Sequence, residues 1–222
     1  MDINGDKKLD IISGGAEGFV YSMTALENGQ YTKPERMIDK SGKFIHLGDF
    51  FNEKKDEWDK DATFKHRDVC LHPVAVDWDN DGDLDLLLSG HGGLLAVRIN
   101  EGDAQKAVYS DKNTYIMIFG APFSTGKGTN ARFVDWDGDG LKDLVCGVHQ
   151  LGVVWLKNKG TKRKPTFELP KSLVSVDKGN PNDPYLNITT EVTDLNGDGK
   201  QDLIVGALTS GKKAKIWVHY RK

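Results

Sequence analysis

The sequence predicts an all-β fold, a β-propeller of about four blades with four antiparallel strands in each. Three observations predict it. Near-identical acidic nine-residue loops begin at Asp2, Asp77, Asp135 and Asp194. A short apolar run follows each loop, and the two later intervals between loops are nearly equal, 58 and 59 residues. Self-similarity at a period of this size marks a repeat architecture.

Each repeat reads in the same order. An alternating strand enters the loop, as in Val74-Ala75-Val76, Arg132-Phe133-Val134 and Thr190-Glu191-Val192. A second strand leaves it through Ile11-Ile12, Leu86-Leu87-Leu88, Leu144-Val145 or Leu203-Ile204-Val205, apolar runs that read as buried strands. This strand ends at Gly14, Gly90, Gly147 or Gly206. A third strand follows at Phe19-Val20-Tyr21, Leu94-Leu95-Ala96-Val97, Val153-Val154-Trp155-Leu156 and Ile216-Trp217-Val218. Turns at Asn28-Gly29, Asn100-Glu101-Gly102 and Asn158-Lys159-Gly160 close it, and a weaker fourth strand leads onward.

The blades therefore fall near residues 1–40, 70–115, 128–175 and 186–222 of one repeat region spanning 1–222. An insertion lies near 45–69, and its charged part around Asn52 to Asp61 reads as an exposed loop or short helix. The first repeat lacks an entering strand and the last stops after its third. The expected arrangement is a partial or open propeller, completed by missing blades or by another chain; a closed four-bladed ring is the alternative.

The loops carry the chemistry of a calcium cage. Calcium takes oxygen ligands, and carboxylates crowded together repel one another unless a cation lies between them. Loop positions 1, 3, 5 and 9 supply carboxylate or amide oxygens and position 7 a backbone carbonyl. The candidate ligands are Asp2, Asn4, Asp6, Lys8 and Asp10; Asp77, Asp79, Asp81, Asp83 and Asp85; Asp135, Asp137, Asp139, Leu141 and Asp143; and Asp194, Asn196, Asp198, Lys200 and Asp202. Up to four Ca2+ ions are expected. Glycine at position 6 allows a positive φ there; Lys7 replaces it in the first loop, which departs most from the pattern. An EF-hand is excluded because position 12 holds Ser13, Leu88, Cys146 and Val205 in place of Glu.

The Asp-x-Asp/Asn-x-Asp-Gly-x-x-Asp-Leu loops, with the glycine after the second strand, resemble the FG-GAP/VCBS repeat family, whose blades also build the propellers of integrin α-subunits. The resemblance implies a calcium-binding propeller in which the loop joins the first and second strands of a blade. It implies no particular activity.

Composition narrows the partners. With 30 basic and 33 acidic residues the net charge is −3, which favours neither nucleic acid nor a membrane surface, and no apolar run spans a membrane. Fourteen of the acids stand at loop positions 1, 3, 5 and 9, so the rest of the chain is basic and calcium loading shifts the protein toward anionic partners. Two cysteines make no disulfide framework, and Cys146 reads as a small buried hydrophobe. Calcium dependence points to an extracellular or periplasmic setting, with any export signal outside this stretch.

No catalytic residues or organic cofactor are predicted. Trp58, His66, His91, His149 and Gln150 fall on connections facing away from the loops and are the candidate ligand face; ordinary loop residues are the plain alternative. Trp78 and Trp136, at loop position 2, read as packing against a neighbouring blade, and Trp155 and Trp217 as core. Lys157 to Lys164 reads as a solvated basic hairpin or a contact for acidic polysaccharide. The functional expectation is a secreted, calcium-stabilised, non-enzymatic module recognising protein or carbohydrate. The alternative is a fragment of a polysaccharide-active enzyme such as a lyase, with His91 or His149 as base.

Overall fold

The computed structural model describes residues 1–48, 51–52, 55, 57–58, 70–126, 128–177 and 179–221. Among the described residues every regular element is a strand, and no helix is long and apolar enough to cross a membrane. The chain divides into two compact units, Met1–Ile116 with Pro122–Ser124, and Met117–Ala121 with Thr125–Lys222.

The first unit holds two blades. In one, β1 (Ile11–Gly14), β2 (Val20–Met23) and β3 (Glu35–Arg36) pair antiparallel in that order. Next comes a short hairpin of β4 (Phe51–Asn52) and β5 (Glu57–Trp58), with Phe51 opposite Trp58. Of the stretch around Asn52 to Asp61 expected as a loop or short helix, the described residues Asn52, Glu57 and Trp58 are in these strands; the remainder, apart from Lys55, lies outside the described residues. In the other blade β6 (His72–Val76), β7 (Asp85–Ser89), β8 (Leu95–Arg98) and β9 (Thr114–Tyr115) form a four-stranded antiparallel sheet.

A two-stranded ribbon, β10 (Met117–Ile118) with β11 (Ala121–Pro122), comes next in sequence. The second unit then holds the other two blades. The strands β12 (Thr129–Val134), β13 (Asp143–Val148), β14 (Gly152–Leu156) and β15 (Lys171–Ser175) form a four-stranded sheet, and β16 (Pro184–Thr193), β17 (Asp202–Thr209) and β18 (Ala214–His219) a three-stranded one.

Every acidic loop but the first joins two paired strands, and the register at its mouth repeats. Val76 faces Asp85, Val134 faces Asp143, and Thr193 faces Asp202. The apolar runs after the loops form inner strands: β7 and β13 are buried along their whole length. Each unit has a core drawn from both of its blades. Val20, Ile45, Leu86 and Leu88 meet in the first, and Val145, Ile188, Leu203 and Val205 in the second. Trp136 joins the second core directly, Trp155 and Trp217 pack against it half-buried, and Trp78 is buried as well. Both cysteines are free thiols; Cys70 is exposed, while burial pushes the Cys146 thiol up to about 12.

The repeated glycine of the second strand marks a crossing more than an end. A Cβ at Gly14 would lie 1.7 Å from the carbonyl oxygen of Leu71 and 2.9 Å from the ring of Pro73, just where the next blade's entering strand begins. At Gly147 a Cβ would lie 2.7 Å from the Ile188 carbonyl oxygen on β16. Beyond this glycine β13 continues to Val148, and β17 runs past Gly206 to Thr209. Close approach of one blade to the next thus requires the missing side chain. Gly14→Ala is expected to destabilise the first unit by about 2–3 kcal/mol through overpacking against backbone; urea unfolding of the variant against the parent checks it.

Candidate metal centres

The four loops share a backbone course. Position 6 is left-handed at Gly82, Gly140 and Gly199, with φ of 97°, 87° and 84°, and Lys7 adopts the same conformation at 68°. Position 4 is left-handed too, at Gly5, Asn80, Gly138 and Gly197. The sequence shows why in retrospect: these are glycine and asparagine, the residues that tolerate αL. The carboxylate at position 5 tightens each loop by accepting from the N–H at position 7. Those contacts are Asp6 to Lys8 at 2.9 Å, Asp81 to Asp83 at 3.0 Å, Asp139 to Leu141 at 2.9 Å and Asp198 to Lys200 at 2.8 Å.

Within each loop the aspartate at position 9 is the most buried acid. Asp85 is 1% exposed, Asp143 and Asp202 0%, and Asp10 5%. In every loop Oδ2 accepts from the backbone N–H at position 2: Ile3 at 2.8 Å, Trp78 at 2.9 Å, Trp136 at 3.3 Å and Leu195 at 3.0 Å. In every loop Oδ1 accepts from the N–H of a residue just past the third strand: Ala25 at 2.8 Å, Asn100 at 2.7 Å, Asn158 at 2.7 Å and Arg221 at 2.9 Å. A carboxylate buried this deeply requires such donors. Two of the clamped residues extend the network. Asn100 Oδ1 accepts from Gly102 and Val108, and Asn158 Oδ1 from Gly160 and Thr166, closing the turn after each third strand. Sequence reasoning marked these asparagines as turn formers and missed their tie to the loop.

The loops differ in how their outer carboxylates are satisfied. Asp2, Asp135 and Asp194, at position 1, spend both oxygens on their own backbone. Asp135 accepts from Gly138 at 2.8 Å and Gly140 at 2.9 Å, and Asp194 from Gly197 at 2.7 Å and Gly199 at 2.8 Å. Asp2 does likewise with Gly5 and Lys7. The backbone donors, Gly199 foremost, hold the Asp194 carboxyl below its ordinary value. In the first and last loops the amide oxygens of Asn4 and Asn196 cap Asp6 and Asp198, each at 3.0 Å.

The second loop is the least satisfied. Asp77, Asp79 and Asp81 each place a carboxylate oxygen within 4.8 Å of the others. Asp83 adds a fourth outer carboxylate at position 7, and it is only 5% exposed. Asp79 Oδ1 and Asp83 Oδ1 are buried without a hydrogen-bond partner. Among the described residues no basic side chain pairs with any of these four acids. Desolvation, reinforced by the charges of Asp81 and Asp77, raises the Asp79 carboxyl. Desolvation with the charges of Asp81 and Asp79 pushes Asp83 up to about 6, and desolvation raises Asp85 to about 6 as well. Orphaned buried oxygens on mutually repelling carboxylates fit a hard divalent cation, which supplies the missing partner and the missing charge together.

The third loop has an equivalent triad, Asp135, Asp137 and Asp139, within the same 4.8 Å. Here the ammonium of Lys157 donates to Asp137 Oδ2 and, at 2.8 Å, to Asp139 Oδ2. Arg221 donates to the carbonyl oxygens of Trp136 and Asp137. Lys157, read from the sequence as part of a solvated hairpin, is turned onto the acidic loop.

The candidate ligand-face residues are spread over the fold. Trp58 lies in β5, and His66 lies outside the described residues. His91 is half-buried in the turn between β7 and β8. His149 and Gln150 share the turn between β13 and β14 and are held to β16: His149 Nδ1 accepts from Asn187 N–H at 3.2 Å, and Gln150 N–H donates to the Tyr185 carbonyl at 2.8 Å.

A family model described as FG-GAP-like repeat matches residues 77–146 and again 135–205. Each match starts at the first aspartate of a loop and ends inside the second strand of the following blade. Comparison with curated protein sequences finds no match. Among solved structures the chain is similar to one reported for specific recognition of non-reducing terminal N-acetylglucosamine by an Agrocybe aegerita lectin. The identity is 19% and the TM-score 0.49, with 99% of this chain and 56% of that chain covered. The chain thus spans little more than half the length of that neighbour. The two repeat matches together take in more than half of the 222 residues, and the chain belongs to the FG-GAP-like repeat family.

Proposed function

We propose that the chain is a calcium-binding, calcium-stabilised module that recognises a protein or carbohydrate partner outside the cytosol. The observation that carries this reading is the second loop, where, among the described residues, buried oxygens of Asp79 and Asp83 have no hydrogen-bond partner and no cationic side chain answers the charge. Asp77, Asp79, Asp81 and Asp83 would hold the ion there, with Asp85 behind them holding the loop mouth. In the third loop Asp135, Asp137 and Asp139 would do so, with the Leu141 carbonyl and Asp143. The last loop offers Asp194, Asn196, Asp198 and the Lys200 carbonyl with Asp202; the first offers Asp2, Asn4, Asp6 and the Lys8 carbonyl with Asp10. Bound calcium neutralises the repelling carboxylates and so stabilises the blade.

The setting follows from concentration. Extracellular calcium modules commonly bind at about 10⁻⁴–10⁻³ M, a level the cytosol does not reach. A site binding at about 10 μM would be stabilised by about 2.7 kcal/mol in 1 mM calcium. Recognition is the role that suits a repeat scaffold whose acids are concentrated in its loops, leaving a basic remainder toward anionic partners. The turns carrying His91 and His149-Gln150 are the contacts to test first.

Chelation is expected to lower the Tm and calcium to restore it, while magnesium, which demands a smaller octahedral site, restores little; a melting curve indifferent to chelator would remove the calcium claim. Two substitutions separate ligand from scaffold. Asp79→Ala should abolish the calcium-induced rise at the second loop yet leave stability in chelator unchanged or improved, because it removes a desolvated, repelled charge. Asp85→Ala should lose about 2–3 kcal/mol with or without calcium, because it strands two buried amide donors. Denaturant titrations in both buffers read the difference. For recognition, the immobilised chain is screened against glycan and protein panels. Binding in calcium that falls away in chelator is expected, whereas unsaturated product released from acidic glycans would replace the recognition reading with a lyase.

A further inference from the structure

The residue just before each clamped position holds the same place in every blade, because the position-9 aspartate fixes its neighbour's backbone. It is Thr24 before Ala25, Ile99 before Asn100, Lys157 before Asn158 and Tyr220 before Arg221. Only the third blade places a cation there. The Lys157 side chain is 17% exposed, and its ammonium reaches one oxygen from loop position 3 and one from position 5. It also lies 5.8 Å from the centre of the Trp155 ring, which favours a cation. The second loop, with an isoleucine at that place, keeps its orphaned oxygens.

From this difference we infer that Lys157 is the third loop's internal counter-cation, and that calcium can occupy this loop only by displacing it. The inference rests on the calcium reading of the loops. It divides the chain into a second blade whose loop depends on metal and a third blade whose loop is already partly neutralised without it. The ammonium brings a single charge and engages just two of the carboxylates, leaving Asp137 Oδ1 buried and unpartnered. Calcium remains the better partner once the lysine is moved aside, so the side chain sets the calcium threshold of its loop and leaves the loop's capacity to bind intact.

The test compares wild type, Lys157→Met, which keeps the unbranched stem, and Lys157→Arg, which keeps the charge. Calorimetric calcium titration of Lys157→Met is expected to show one site bound roughly tenfold more tightly than in wild type, the scale of one lost charge-assisted hydrogen bond. In chelator Lys157→Met should melt below wild type, and calcium should close that gap; Lys157→Arg should follow wild type in both. A titration unchanged by Lys157→Met, with Tm lowered equally in chelator and calcium, would overturn the assignment and leave a packing role. No calcium heat in wild type or in Lys157→Met would instead overturn the calcium reading itself.

Discussion

The buried aspartate at loop position 9 is the contact on which each blade depends. Its two oxygens accept from amides at opposite ends of the repeat, one at the loop's start and one past the third strand. Asp143 shows the arrangement at full burial, reaching Trp136 and Asn158. Neither N–H is spent on strand pairing, although Asn158 itself stands in an isolated bridge opposite Phe167, so without the carboxylate both would be buried donors lacking an acceptor. Desolvation raises the carboxyls of Asp85 and Asp143, and their backbone donors partly offset it. The clamp therefore holds the loop mouth shut whether or not an ion is present. It positions the outer carboxylates at a fixed place relative to the sheet.

With the mouth held, the outer carboxylates are free to differ, and they do. In the first, third and last loops the position-1 aspartate is absorbed by the loop's own amides at two points. In the second loop Asp77 has a single such contact, to Asp81 at 3.2 Å, and Asp83 adds a negative charge that no other loop carries at position 7. The third loop balances its charge with Lys157, and Arg221 caps two of its carbonyls. One backbone design thus carries several electrostatic states, set loop by loop and not by the motif.

The same economy governs packing between blades. Small residues sit where one blade's second strand is crossed by the next blade's entering strand, as Gly14 is by the chain at Leu71 and Pro73. Large apolar side chains fill the space on either side, as Leu86 and Leu88 do with Val20 and Ile45. Each blade completes a hydrophobic face that it cannot bury alone, which is the reason a repeat fold needs neighbours.

Strand order, loop position and the left-handed turn at position 6 were legible in the sequence because they rest on local chemistry: alternation, apolar runs and glycine at a fixed place. The five acids of the second loop could be counted there too. What the sequence could not separate was the work of those acids. Asp79 and Asp85 are the same residue type six positions apart, yet the fold gives one an orphaned oxygen and the other two buried backbone donors. Lys157 reads as one charge in a basic run until the third strand returns it to Asp137 and Asp139, 18–20 residues earlier. The sequence by itself determined that this is an all-β repeat protein with acidic loops. Only the tertiary structure decided which carboxylates are clamps, which lack a counter-charge and which already have one, because burial and pairing depend on strands brought together across the blade.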